Sequence, residues 1–208
     1  MGEDKLSDLP MEPLPPEELP ESGVVVLGRF QPVHKGHELL ITAAEDWRSH
    51  NAPEKKLIIA IGSSNQPLSI RNPWSSIERT AMLEALLESI GIMAIIVQVP
   101  DIEDPPNWVS HAEKYHGIAG SLFTTDARTA ELYESSGWQV KMGELQNRES
   151  YQGWRVRATA QMLSTVHDQE AIRLVLSASV PDSVVSQIIS EDYLRRLAFM
   201  GEGGEPVG

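Results

Sequence analysis

Two imidazoles stand three residues apart in "GRFQPVHKGH", Gly28 to His37, with a glycine between them and Pro32 just ahead. Placed so, His34 and His37 can direct ring N–H groups into one small space, which suits an anion such as a phosphate. Gly28 permits close backbone approach, and Pro32 stiffens the turn. Gly36 lets the start of a following helix pack near an occupant, so that amide donors and the positive end of the helix dipole face its charge. A metal is the weaker reading, because two histidines without a third His, Cys or acid in ligand spacing seldom make a site. Alone, H-x-G-H also fits an ordinary helix start with two solvated rings. The full pattern behind an apolar strand favours the phosphate site.

The elements that must hold this decapeptide alternate along the chain. The β-branched run Val24 to Leu27 precedes it, and "HELLITAAEDW" follows with apolar spacing suited to a helix. "LIIAIG" reads as a second buried strand. In the next helix, "SSIERTAMLEALLESIG", Ser75 and Glu78 form an S-x-x-E capping box and Gly91 a stop. "MAIIVQV", "GSLFTT" and "WQVKM" read as further strands, separated by helices through "PPNWVSHAEKYHG" and "DARTAELYESS". From about Gly153 the pattern is helical without strands. Such alternation implies an α/β chain, a doubly wound, Rossmann-like parallel sheet with a helical C-terminal end. In that fold, ligands sit beyond the carboxyl ends of the strands, where the decapeptide lies.

Composition narrows the classes. With 208 residues, 41% apolar and 23% charged, the chain suits one soluble domain, and its longest apolar runs fall far short of the ~20 residues of a membrane helix. The N-terminus lacks the basic start and apolar segment of a secretory signal, so a cytoplasmic location is expected. The absence of Cys excludes a disulfide framework, a thiolate nucleophile and Cys-ligated zinc. The net charge of -13 is uneven: residues 1–22 hold seven acids against Lys5, interleaved with Pro10, Pro13, Pro15, Pro16 and Pro20. Those residues are expected to be a disordered or loosely draped tail, and residues 201–208 a flexible end, leaving 23–200 as the domain. So acidic a chain is no general nucleic-acid binder. Any anion must be gripped locally.

Four segments, "GRFQPVHKGH", "IGSSNQPLSIRNPWSSIER", "VPDIEDPPNWVSH" and "YQGWRVR", resemble in order the H-x-G-H nucleotidyltransferase superfamily, most closely its archaeal-type nicotinamide-mononucleotide adenylyltransferases. The resemblance implies an enzyme that joins nicotinamide mononucleotide and ATP to give NAD and pyrophosphate, with Mg²⁺ carried on the ATP phosphates and a homo-oligomeric assembly. It assigns catalysis to His34, His37, Arg71 and Arg157. It assigns ATP binding to Gly28, Arg29, Phe30, Gln31, His34, His37, Asp126, Gly153 and Arg157, and acceptor binding to Asp101 and Trp108. Asp101 would accept from the carboxamide, and Trp108 would stack on the cationic pyridine ring; an indole on a helix serves the core as readily. Lys35 occupies the variable place and is expected to be solvated.

Three segments depart from the family pattern. Pro105 stands where relatives usually have Asn, although Asp104 as N-cap and Pro105 at the first helical position suit a helix start. Gln152 and Trp154 stand where two hydroxyls hold phosphates, with Gly153, Val156 and Arg157 kept and Arg157 expected in the first helical turn. Thr125-Asp126 replaces Gly-Asn near the adenine, and Asp126 equally suits an N-cap. These changes leave open a different acceptor or nucleotide, or a decayed nucleotide-binding protein.

Overall fold

A computed structural model describes residues 9–144 and 151–200, which fall into two compact units. The first unit comprises Met1–Arg29, Asp46–Gln66 and Ala94–Gly143. It holds all five named strands: β1 (Val24–Gly28), β2 (Leu57–Ile61), β3 (Ile95–Gln98), β4 (Ser121–Thr124) and β5 (Gln139–Met142). Every pairing is parallel, in the order β3-β2-β1-β4-β5, with Val24 opposite both Leu57 and Ser121. Parallel strands buried on both faces lose their alternation, and β2, buried along its whole length, is the unbroken aliphatic run LIIAI. The order reverses at β1. This is the switch point at which doubly wound sheets open a crevice beyond their strand ends.

Helices α3 (Trp108–His116) and α4 (Ala127–Ser135) complete this unit. Val109, Ala112, Tyr115 and Tyr133 from these helices join Val25, Ile58, Ala60 and Leu122 from the sheet in one core. Residues 9–22 belong to the same unit, without helix or strand, and are tied to it by a Lys56–Glu21 ion pair and a Lys55 Nζ bond to Ser22 Oγ at 2.7 Å. The expected tail's first eight residues and the expected flexible end at 201–208 lie outside the described residues.

The second unit comprises Phe30–Glu45, Pro67–Met93 and Glu144–Gly208. Helix α1 (Lys35–Asn51) begins in it, and α2 (Ser76–Ile90), α5 (Gly153–Leu163), α6 (Gln169–Leu176) and α7 (Asp182–Ser190) belong to it. Its core draws Met82, Leu83 and Leu86 from α2, Val156 and Ala160 from α5, and Val184, Val185 and Ile188 from α7. The capping box forms as expected: Ser75 accepts from the Glu78 amide, Glu78 accepts from Ser75, and Gly91 ends α2 at φ 68. One expected cap does not form. Asp104 makes no side-chain cap bond to the 3-10 turn Pro105–Asn107, because its carboxylate accepts instead from Asn107 Nδ2 at 2.7 Å.

Candidate active site

His34 directly precedes α1 in the second unit, and its ring stacks on that of His37 with centroids 3.7 Å apart and planes at 23°. The backbone N–H of His34 donates to His37 Nδ1 at 3.2 Å. Nδ1 therefore accepts, and the neutral ring carries its proton on Nε2. Burial, followed by the adjacent His34, holds His37 well below the usual imidazole range. His34 is lowered to about 4, chiefly by burial and then by the positive charge of Arg157. Both rings are neutral near pH 7. His34 Nδ1 is buried with no hydrogen-bond partner, an arrangement a protein rarely tolerates without a purpose.

Why a glycine separates the histidines follows from space. A Cβ at Gly36 would lie 2.9 Å from Tyr151 Cβ and 3.1 Å from the His34 ring, so any side chain there would crowd both, and Tyr151 or the His34 ring would have to shift. The amide donors expected to meet an anion at the start of α1 are largely taken: Lys35 N–H donates to Ser179 O, while those of His37 and Glu38 donate to His34 O. Anion binding thus falls to side chains. Arg157 supplies one, its Nη1 donating to Gln31 O at 2.8 Å. A Cβ at Gly153 would lie 3.3 Å from Arg157 Nη1, 3.7 Å from His34 Nε2 and 3.8 Å from Gln31 O. Glycine keeps that gap between cation and imidazole open.

Phe30 and Gln31, expected at the nucleotide, support the cluster from below. Phe30 is buried at φ 52 and packs on His37, with ring centroids 4.7 Å apart. Both ends of the Gln31 amide are engaged: Nε2 donates to Trp74 O at 2.7 Å, and Trp74 N–H donates to Oε1 at 3.1 Å. Gln31 thereby anchors the histidine loop, Arg157 and the entry to α2. Arg71 is exposed at the tip of a two-residue turn closed by Ser69 and Asn72. Lys35 is not solvated as expected. Its Nζ donates to Ser177 O at 2.6 Å, at the carbonyl end of α6, where a cation is favourable.

In the first unit, Gly28 closes β1, and its carbonyl accepts from Gly62 N–H at 2.9 Å; Arg29, next to it, is exposed. Asp101 lies in the loop after β3 and is held from several sides. Ser63 Oγ donates to its carboxylate at 3.3 Å, and Asn65 receives its N–H at 2.7 Å while donating to its carbonyl at 2.9 Å. Trp108 opens α3 half-buried, edge-on to Tyr133 at 6.3 Å, so it borders the core and keeps one part open. Asp126 caps α4, accepting from Thr129 N–H and Oγ1 at 2.9 and 2.8 Å. Asn65 carried no sequence signal of its own beyond its place after β2, and Gln31 was legible only as part of the motif.

The cytidylyltransferase-like family model matches residues 25–158. A nicotinamide-nucleotide adenylyltransferase of Methanococcus maripaludis strain S2 is 30% identical over 177 residues, 85% of this chain and 94% of the relative. That of Methanococcus aeolicus is 27% identical over 173 residues, 83% and 93% of the two chains. The chain belongs to the cytidylyltransferase-like family, among its nicotinamide-nucleotide adenylyltransferases. A solved structure of similar fold is the bifunctional NMN adenylyltransferase/ADP ribose pyrophosphatase of Francisella tularensis, complexed with AMP and a manganese ion, with TM-score 0.60 and 19% identity. The match covers 86% of this chain and about half of that larger one, 52%.

Against this family's pattern, the departures have physical outcomes. Trp154 does not fill the gap beside Gly153; it is 58% exposed, and its indole N–H donates to Gln152 Oε1 at 2.6 Å. That bond orients the Gln152 amide and leaves its NH₂ as donor. Arg157 is the fifth residue of α5, one turn later than expected, which brings it beside Gly153 on one helix face. Among the described residues, no helix is long and apolar enough to cross a membrane.

Proposed function

We propose that this nucleotidyltransferase joins nicotinamide mononucleotide to ATP. An acceptor phosphate oxygen attacks the α-phosphorus, the bond to the β-phosphate bridging oxygen breaks, and its electron pair leaves with pyrophosphate. No covalent enzyme intermediate is needed, so the chain's task is alignment and charge stabilisation. His37 Nε2–H is a fixed neutral donor, and Arg157 is a fixed cation beside His34 Nε2. A bound triphosphate would reverse the penalty on charging His34, letting it donate as negative charge moves to the leaving group. The family motif adds Arg29 and Arg71 to the phosphates, and Asp101 and Trp108 to the nicotinamide. The observation that carries this reading is the stacked, neutral histidine pair at the gap that Gly153 keeps open.

The cation we assign is Mg²⁺. Among the described residues, no three His, Asp or Glu gather as a metal cage. A cation arriving on ATP phosphates with water ligands needs none and would offset phosphate charge. A homo-oligomer is the assembly we expect, since Met162, Leu174 and Phe199 are largely exposed on the C-terminal helical unit, and sedimentation velocity checks it.

Incubating the protein with ATP, Mg²⁺ and nicotinamide mononucleotide should give NAD and pyrophosphate in equal amounts. Pyrophosphate released only with another acceptor would replace the acceptor; nucleotide binding without turnover would remove the enzymatic reading.

A further inference from the structure

The proline-rich residues ahead of β1 reach the neighbourhood of the Asp101 loop through the side chains of Asn65 and Tyr115. Besides gripping Asp101 on both sides, Asn65 Nδ2 donates to Pro10 O at 3.0 Å. Three residues on, Pro13 O accepts from Tyr115 OH at 2.9 Å, and Tyr115 is a core residue of α3 in van der Waals company with His111. His111 Nε2 in turn bonds Pro100 O at 3.0 Å, the residue before Asp101. The loop carrying Asp101 is therefore bracketed by Asn65 and His111; Asn65 is itself tied to Pro10, and Tyr115, whose ring lies against His111, is tied to Pro13. Proline offers a carbonyl and no N–H, so Pro10 and Pro13 can dock only by accepting, and both of their donors come from the folded unit.

We propose that residues 10–13 form a positioning strap for acceptor recognition: by holding Asn65 and Tyr115, they fix the loop on which Asp101 meets the nicotinamide carboxamide. This rests on the acceptor role proposed for Asp101. Asn65 is a positioning residue that acts through Asp101. Without the strap, the Asn65 amide loses one of its three partners, and the Asp101 carboxylate samples orientations that do not match a planar amide donor. The consequence belongs to acceptor binding, not to the step at phosphorus.

The test uses the full-length chain with two substitutions. Asn65→Ala removes the grip and the strap contact together. Tyr115→Phe removes only the hydroxyl that holds Pro13, keeps the core ring and leaves Asp101 untouched. Losing one to three hydrogen bonds of ordinary strength corresponds to about tenfold for Asn65→Ala and about threefold for Tyr115→Phe in the KM for nicotinamide mononucleotide. The KM for ATP and kcat should stay within about twofold. Amide exchange of residues 99–104 in the free protein should quicken in both variants, a readout independent of turnover. If the wild type makes no NAD, the exchange arm still decides the strap. Unchanged exchange in Tyr115→Phe, or KM values for both substrates rising together, would overturn the proposal.

Discussion

Acidification offers a direct measure of how far the fold holds the motif histidines neutral. His34, 7% exposed, is lowered from 6.5 to about 4, and His116, fully buried with Nε2 on Tyr133 OH at 2.8 Å, is lowered equally far. Between pH 4 and 6.5 the unfolded chain binds protons at these rings that the folded chain refuses. Stability is therefore complete above about pH 6.5 and falls as pH drops toward 4. For one ring with these two values, going from pH 7.5 to pH 5 changes the folding constant by about 30-fold, or about 2 kcal/mol. The two rings together give about 4 kcal/mol, and His37, lowered in the same direction, adds to it. Urea titrations at the two pH values measure the loss, and His34→Gln should shrink it by about 2 kcal/mol. Saturating pyrophosphate should shrink it as well, because an anion at the site favours the charged ring. A wild type equally stable at both pH values, or an unchanged loss in His34→Gln, would refute the burial of a neutral His34.

Three further outcomes follow from the cluster. His37→Ala should keep its far-UV circular dichroism and lose at least ~100-fold in turnover, the usual cost of removing a donor aimed at developing charge. Gly153→Ala puts a methyl group 3.3 Å from Arg157 Nη1 and should raise the KM for ATP by about tenfold with little change in melting temperature, measured by steady-state kinetics and calorimetry. Lys35→Met removes a charge-assisted bond to the end of α6 and should cost about 1–2 kcal/mol in urea unfolding, although the side chain lies inside the motif.

Local signals carried far. The capping box at Ser75, the stop at Gly91, the aliphatic β2 and the N-cap at Asp126 each depend on residues within a few positions, and all formed as read. The H-x-G-H spacing likewise sufficed to bring the two rings together, since three residues at a helix start leave little choice. What neighbouring residues cannot encode is which distant group takes a donor. Gln31 gives its amide to Trp74, 43 residues away, and Lys35 reaches Ser177, 142 residues away; Asn65 binds Pro10 across 55. Trp154, which stands where relatives hold phosphate with a hydroxyl, turns outward because the helix phase carries it away from Gly153 and Arg157. Sequence alone determined the strands, the caps at Ser75, Gly91 and Asp126 and the pairing of the histidines, because short-range sterics and periodicity act within a turn or two of chain. Only tertiary packing decided which polar groups were already satisfied, and hence which were left to meet a substrate, because that depends on partners the chain meets after it has folded.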